Sequence, residues 1–234
     1  MRPTPATSPA PSIRRPPLGF TRWSPRTAAL VAGVALALMA VLGGFGNLGA
    51  ITPLIVPGDA DATARTISLS PTLFLAGVAS FTVVALLDVI VAGAFFTLFR
   101  PVNPRLSLTA ALLRVGYAVL FLVAISRLVV GYSQLSDPTS ALATFQSFTT
   151  IWVVSLGLFG LSLLVVGYLA YRSGFIARVF GVLLGIAGLG YLADAIAKAA
   201  IPGFTAAFAQ FTFVGEVALI FWLLIAGRRL PSNR

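Results

Sequence analysis

The sequence predicts an all-α protein, a polytopic membrane helix bundle with six transmembrane helices and both termini cytoplasmic. Three observations predict it. Hydrophobic residues make up 58% of the 234-residue chain and charged residues only 9%, with a mean hydropathy of +0.99; a soluble domain carries roughly 25% charged residues. Six apolar runs reach the ~20 residues that a helix needs to cross a bilayer core. Arginines crowd every second break between those runs, as they do on cytoplasmic flanks.

The runs cover 27–50, 73–99, 106–132, 145–171, 176–199 and 207–227. The breaks carry turn chemistry: Pro57-Gly58-Asp59, Pro101 to Pro104, Ser136-Asp137-Pro138, Arg172-Ser173-Gly174 and Pro202-Gly203. Ser107, Thr139 or Ser140, and Thr205 are the expected N-caps of the helices that follow. Residues 1–26 hold seven of the fifteen prolines and read as a disordered basic Pro-rich tail. The transmembrane domain then runs over 27–228, and 229–234 forms a short basic tail. The first run is longer than the 7–15-residue core of a cleavable signal, so it reads as a retained helix. Phe20 and Trp23, beside Arg22 and Arg26, suit the headgroup level, unless the tail only sets topology.

Orientation follows from the basic residues. Arg2, Arg14, Arg15, Arg22 and Arg26 precede the first run; Arg100 and Arg105, then Arg172 and Arg178, occupy alternate hinges; Arg228, Arg229 and Arg234 end the chain. The other loops hold only Arg65, with Lys198 at a helix end, against Asp59, Asp61 and Asp137. Both termini therefore share a side, which requires an even number of crossings.

Ionisable residues fall inside these runs. Depth is measured from the flanking arginines at ~1.5 Å per residue. Arg114 comes out ~13 Å deep, and Asp88 and Glu216 ~18 Å. Asp194, Lys198 and Arg127 come out at ~24, ~30 and ~33 Å. A midplane polar site of Asp88, Arg114 and Glu216 and an outer polar layer of Arg127, Asp194 and Lys198 are thus the candidates. A mid-helix charge costs about 2.5–3.5 kcal/mol to insert, while each Leu, Ile, Val or Phe contributes about 0.3–0.6 favourably. Insertion alone does not demand partners, and Lys198 and Arg127 can snorkel. The short side chain of Asp88 cannot, nor in effect can Glu216, so both must face protein or water. Asp88 and Arg114, on successive helices at similar depth, are expected to meet. They form a staple between helices, part of a ligand, ion or proton site, or a contact to a partner subunit. Asp194 and Lys198, four apart, suit an intrahelical pair, as do Asp61 and Arg65 in the first outer loop, where Asp59 is the expected cap. Gly181, Gly185, Gly188 and Gly190, and Gly43 to Gly49 in the first run, suit close helix contacts. Tyr168, Tyr171 and Trp222 suit an interfacial belt.

Four stretches, LIVPGDADATARTI (54–67), FRPVNPRLSLTAALLRVGYAVL (99–120), GYLAYRSGFIARVFGVLLGIAGLGYLAD (167–194) and GEVALIFWLLIAG (215–227), resemble the bacterial membrane family called domain of unknown function 4386. The resemblance spans roughly 26–229 and implies a multi-pass protein of the bacterial cytoplasmic (inner) membrane. It marks Asp59, Asp88, Arg100, Asn103, Pro104, Arg114, Tyr171, Arg172, Gly174, Asp194 and Glu216 as motif positions and assigns them no role.

The chain has no His and no Cys. Ser–His and Cys–His catalysis, HExxH zinc chemistry and disulfides are therefore excluded. A shared-proton carboxylate dyad is opposed by Arg114 between Asp88 and Glu216. One Asp59-Ala-Asp61 step falls short of a metal site. Catalysis, cofactor and metal are not expected, and the placement of the arginines argues against nucleic acid. Two readings remain: a structural or regulatory protein acting through membrane partners or a second copy, and a secondary transporter or small-ligand-binding membrane protein with a polar midplane site. A cavity reaching Asp88 and Glu216 would separate them.

Overall fold

The computed structural model describes residues 23–201, 203–204, 208 and 214–232. Residues 1–22 of the expected tail 1–26, the cap Thr205 and most of the start of the last run lie outside them; Pro25 and Arg26, the end of that expected tail, are the first residues of α1. Seven α-helices are described: α1 (Pro25–Gly44), α2 (Ala60–Leu69), α3 (Pro71–Phe99), α4 (Pro104–Ser133), α5 (Pro138–Arg172), α6 (Arg178–Ala200) and α7 (Val214–Ile225). No strand occurs among the described residues. Five helical segments are long and apolar enough to cross a membrane: Pro25–Leu54, Pro71–Phe99, Pro104–Ser133, Pro138–Arg172 and Arg178–Ala200. They point to a membrane protein. The twelve residues of α7 are the described part of the sixth expected span.

Four of these helices start with one device, a capping residue followed by proline: Ser24-Pro25, Ser70-Pro71, Asn103-Pro104 and Asp137-Pro138. Proline suits the first helical position because its missing N–H would lack an intrahelical partner anyway. Three of the capping side chains accept backbone N–H groups. Ser24 takes Thr27, Asn103 takes Arg105 and Leu106, and Asp137 takes Ser140. This corrects two expected caps. Ser107 lies inside α4 and donates to the carbonyl of Phe96, while Ser140 belongs to the first turn of α5 and donates to Asp137. Both helices therefore begin earlier than hydropathy suggests, because polar first turns precede the apolar runs. Asp59 does cap α2, through Ala62 N–H at 2.8 Å. The expected Asp61–Arg65 pair does not form; both residues are exposed, where such a contact is worth little.

The long helices pack in chain order. α1 packs on α3, α3 on α4, α4 on α5, α5 on α6 and α6 on α7, and α7 returns to α1. The result is a closed ring of six helices. α5, at 35 residues and ~52 Å, outruns the ~30 Å bilayer core, and α2 packs against it.

The tightest seam is α5–α6, where glycines meet glycines. A methyl on Gly160 would lie 2.7 Å from the Gly188 carbonyl, and one on Gly167 would lie 2.7 Å from that of Gly181. The small-residue face of α6 expected from the sequence is thus used inside the chain, with Gly181 and Gly188 at the contact. Gly174, at φ +73°, turns the chain between the two helices.

The two ends of the ring differ. At one, Phe99 stacks on Phe175 at 6.2 Å, and Phe175 meets Trp222 at 6.4 Å. The Arg26 N–H also donates to the Pro231 carbonyl at 3.3 Å. The arginine-bearing hinges and both described chain ends are gathered there. The acidic loops and α2 belong to the other.

Candidate functional site

A closed ring of six helices leaves space at its axis, and the side chains decide how it is filled. Toward the α2 end, aromatic rings fill it. Phe74 contacts Tyr132 and Phe145; Phe81 contacts Phe121, Phe148 and Trp152 at 5.4–5.8 Å. Farther along, Tyr117, Phe159 and Tyr191 continue the series. Beside them the filling stops. A cavity of about 460 Å³ opens there, lined from all six helices of the ring.

Three ionisable residues line that cavity: Asp88 from α3, Arg114 from α4 and Glu216 from α7. These are the three midplane residues that the depth argument brings together. Arg114 donates its Nε–H to Oδ1 of Asp88, and both residues are almost wholly buried. Among the described residues this is the one side-chain ion pair in the molecule. The guanidinium also lies 4.9 Å from the ring centre of Phe159 and 5.7 Å from that of Phe95, which adds cation–π attraction. Glu216 lies beside Tyr191.

The polar groups satisfy one another only in part. Asp88 Oδ2, Arg114 Nη2, Trp152 Nε1 and Glu216 Oε1 are buried and make no hydrogen bond of good geometry, although the Tyr117 hydroxyl lies beside Trp152 and that of Tyr191 beside Glu216. Buried polar groups are nearly always partnered, so two donors and two acceptors left over around one cavity are a strong departure. The rest of the wall is apolar, from residues such as Leu36, Met39, Leu156 and Ile220. A few convergent polar groups in an otherwise apolar concavity are the general form of a small-molecule site.

The wall contributed by α1 is unusual. Gly43 and Gly44 line the cavity, and a methyl on either would meet nothing within 4 Å. The helix then passes into a π-helical segment, Phe45–Ile51, which brings Asn47 and Leu48 to the rim. Such widened turns occur frequently at functional sites. Of the glycines expected to pack closely in this run, Gly46 does so against Phe81, whereas Gly43 and Gly44 border open space.

The outer candidates are placed differently. Asp194 is buried on α6, and its Oδ1 accepts the backbone N–H of Phe208 at 2.8 Å. The carboxylate thereby ties the chain after α6 back to that helix. Lys198 is half-buried one turn further on, and Arg127 is half-buried on α4, with α5 lying between α4 and α6. None of the outer three lines the cavity that the midplane three share.

Sequence reasoning missed Trp152, Tyr117, Tyr191 and Asn47. The available signal was position. Aromatics with polar tips normally collect at membrane interfaces, yet Trp152 and Tyr117 fall in the interior of long apolar runs, and Tyr117 stands three residues after Arg114 on the same helical face.

Comparison with known proteins identifies the family. The model of the family described as Domain of unknown function (DUF4386) matches residues 31–227. The chain belongs to this family. The DUF4386 match contains every cavity-lining residue, from Leu36 to Ile220. An uncharacterized protein of Archaeoglobus fulgidus is 31% identical over 169 residues, covering 71% of this chain and 91% of that one. No solved structure matches significantly.

Proposed function

We propose that this DUF4386 protein is a six-span, small-ligand-binding protein of the cytoplasmic membrane. Its ligand site is the axial cavity walled by Asp88, Arg114 and Glu216. The observation that carries the reading is the set of four unpartnered buried polar atoms around one cavity. Leaving each such group unmade costs about 1–3 kcal/mol, and a bound molecule or water removes that cost. A role limited to scaffolding through membrane partners fits less well. It leaves the unpartnered midplane groups unexplained, and Gly181 and Gly188 of α6, two of the small residues that suit contact with a partner, are taken by α5. The transmembrane unit is 27–228, with both termini cytoplasmic. The gathering of arginine-bearing hinges and chain ends at one end of the ring supports that orientation.

The test uses the absence of native cysteine. Gly43→Cys and Val217→Cys place thiols on the cavity wall, and Leu38→Cys places one on the outer surface of α1. A water-soluble methanethiosulfonate is expected to modify the first two and to spare Leu38→Cys. Failure to modify either cavity thiol overturns the reading.

A further inference from the structure

We infer that the cavity takes an organic monocation, a protonated amine with an apolar or aromatic body, held with its charged head against Glu216 and Asp88. This rests on the ligand-binding reading above and names the class of ligand. Three observations carry it.

The first is charge. Asp88 and Arg114 cancel each other in their ion pair. Glu216 is left without a basic side chain in contact among the described residues. A half-buried carboxylate at a largely apolar wall is balanced either by a proton or by a cation. A net-neutral zwitterion would leave this balance to the proton, and an anion would worsen it. A monocation completes it in exchange for that proton.

The second is hydrogen bonding. Asp88 Oδ2 and Glu216 Oε1 are acceptors that lack donors. An ammonium head supplies N–H donors for both. The two unmatched donors, Arg114 Nη2 and Trp152 Nε1, are then met by water or by an oxygen on the ligand's body.

The third is the wall. Trp152, Tyr117, Tyr191 and Phe159 stand around the same space. Ring faces attract a cation electrostatically, and the apolar remainder suits a hydrocarbon body. The volume of about 460 Å³ falls within the range of drug-sized sites, roughly 300–1,000 Å³.

The experiment compares three probes that share one body and differ in the head: 4-phenylbutylammonium, 4-phenylbutanol and 5-phenylpentanoate. Binding to the full-length protein in one detergent is read as the shift in melting temperature with probe concentration. Any signal that persists in Gly43→Leu is subtracted, since a leucine there crowds the cavity against a phenylalkyl body and leaves partition into detergent unchanged. The ammonium is expected to bind about tenfold more tightly than the alcohol, with the carboxylate weakest. Glu216→Gln is expected to erase the preference for the ammonium while the alcohol still binds. If the alcohol or the carboxylate binds as well as the ammonium, the cation inference falls and the ligand-binding reading stands. If Glu216→Gln retains the preference, the role given to Glu216 is wrong. If none of the three gives a signal that Gly43→Leu removes, both readings fall.

Discussion

Arg114 on α4 reaches Asp88 on α3 through its Nε, while Nη2 of the same guanidinium is buried without a partner. The pair thus holds two neighbouring helices together, and both residues also belong to the wall of the cavity. A staple needs only the first of these. The leftover Nη2 and the leftover Oδ2 of Asp88 are what separate this arrangement from a closed structural pair.

Asp88→Leu and Arg114→Leu are each expected to destabilise the protein by roughly 3–5 kcal/mol, because each strands a buried charge. The double variant is expected to recover most of that loss. Thermal melting of the four proteins in one lipid mimetic checks this as a mutant cycle. Single variants that melt with the wild type would mean that the two charges do not depend on each other. A double variant more stable than the wild type would show that the pair is retained for something other than holding the fold.

Gly167→Ala and Gly188→Ala are expected to lower stability by about 1–3 kcal/mol, the usual effect of overpacking. The added methyl would meet a backbone carbonyl 2.7 Å away in each case, and a backbone cannot swing aside as a side chain can. Gly43→Ala adds its methyl to open space in a helix, where alanine is favoured over glycine by up to about 1 kcal/mol. It should melt at or above the wild-type temperature. Equal melting of Gly167→Ala and Gly43→Ala would sink the account of the α5–α6 seam.

Asp137 caps α5 from the loop, outside the spans, and the hydroxyl and N–H of Ser140 hold its carboxyl below the usual carboxylate range. A group with a depressed folded-state pKa contributes stability that is present above its unfolded pKa, ordinarily near 3.8, and is lost as pH falls through the folded value. The melting temperature of the wild type should therefore exceed that of Asp137→Asn near neutrality, with the gap closing as pH falls below that ordinary value. A gap that widens in acid would contradict the assignment.

Single cysteines at Arg26 and Ser232 are expected to be labelled from the same side of sealed membrane vesicles, because the Arg26 N–H reaches the Pro231 carbonyl. From the arginine distribution that side is expected to be the cytoplasmic one. A membrane-impermeant maleimide applied to right-side-out and inverted vesicles decides it. Labelling from opposite faces would require an odd number of crossings and would overturn the six-span proposal.

Much of the fold was legible in one dimension. Membrane crossing depends on how many apolar residues follow one another, and five of the six expected runs appear as helices long enough to cross. The positions of Asp88, Arg114 and Glu216 were legible for the same reason. The rise per residue converts sequence distance into depth, so residues at like depth on neighbouring helices are candidates to meet. Helix starts were read less well. Hydropathy marks where apolar residues begin, whereas Asn103-Pro104 and Asp137-Pro138 begin helices through capping bonds upstream of that point.

By itself, then, the sequence determined the helical class and the five long apolar helices, because these depend on local composition, and it named Asp88, Arg114 and Glu216 as candidates to meet from a constant rise per residue. Only the tertiary structure decided that α7 closes the ring on α1. It alone decided that Gly181 and Gly188 of α6 are used against α5, while Gly185 is not and Gly43 and Gly44 of α1 line the cavity with Asp88, Arg114 and Glu216. Which faces of two helices meet, and what remains unfilled between them, depends on the shapes of side chains from six separate segments. No single segment carries that information.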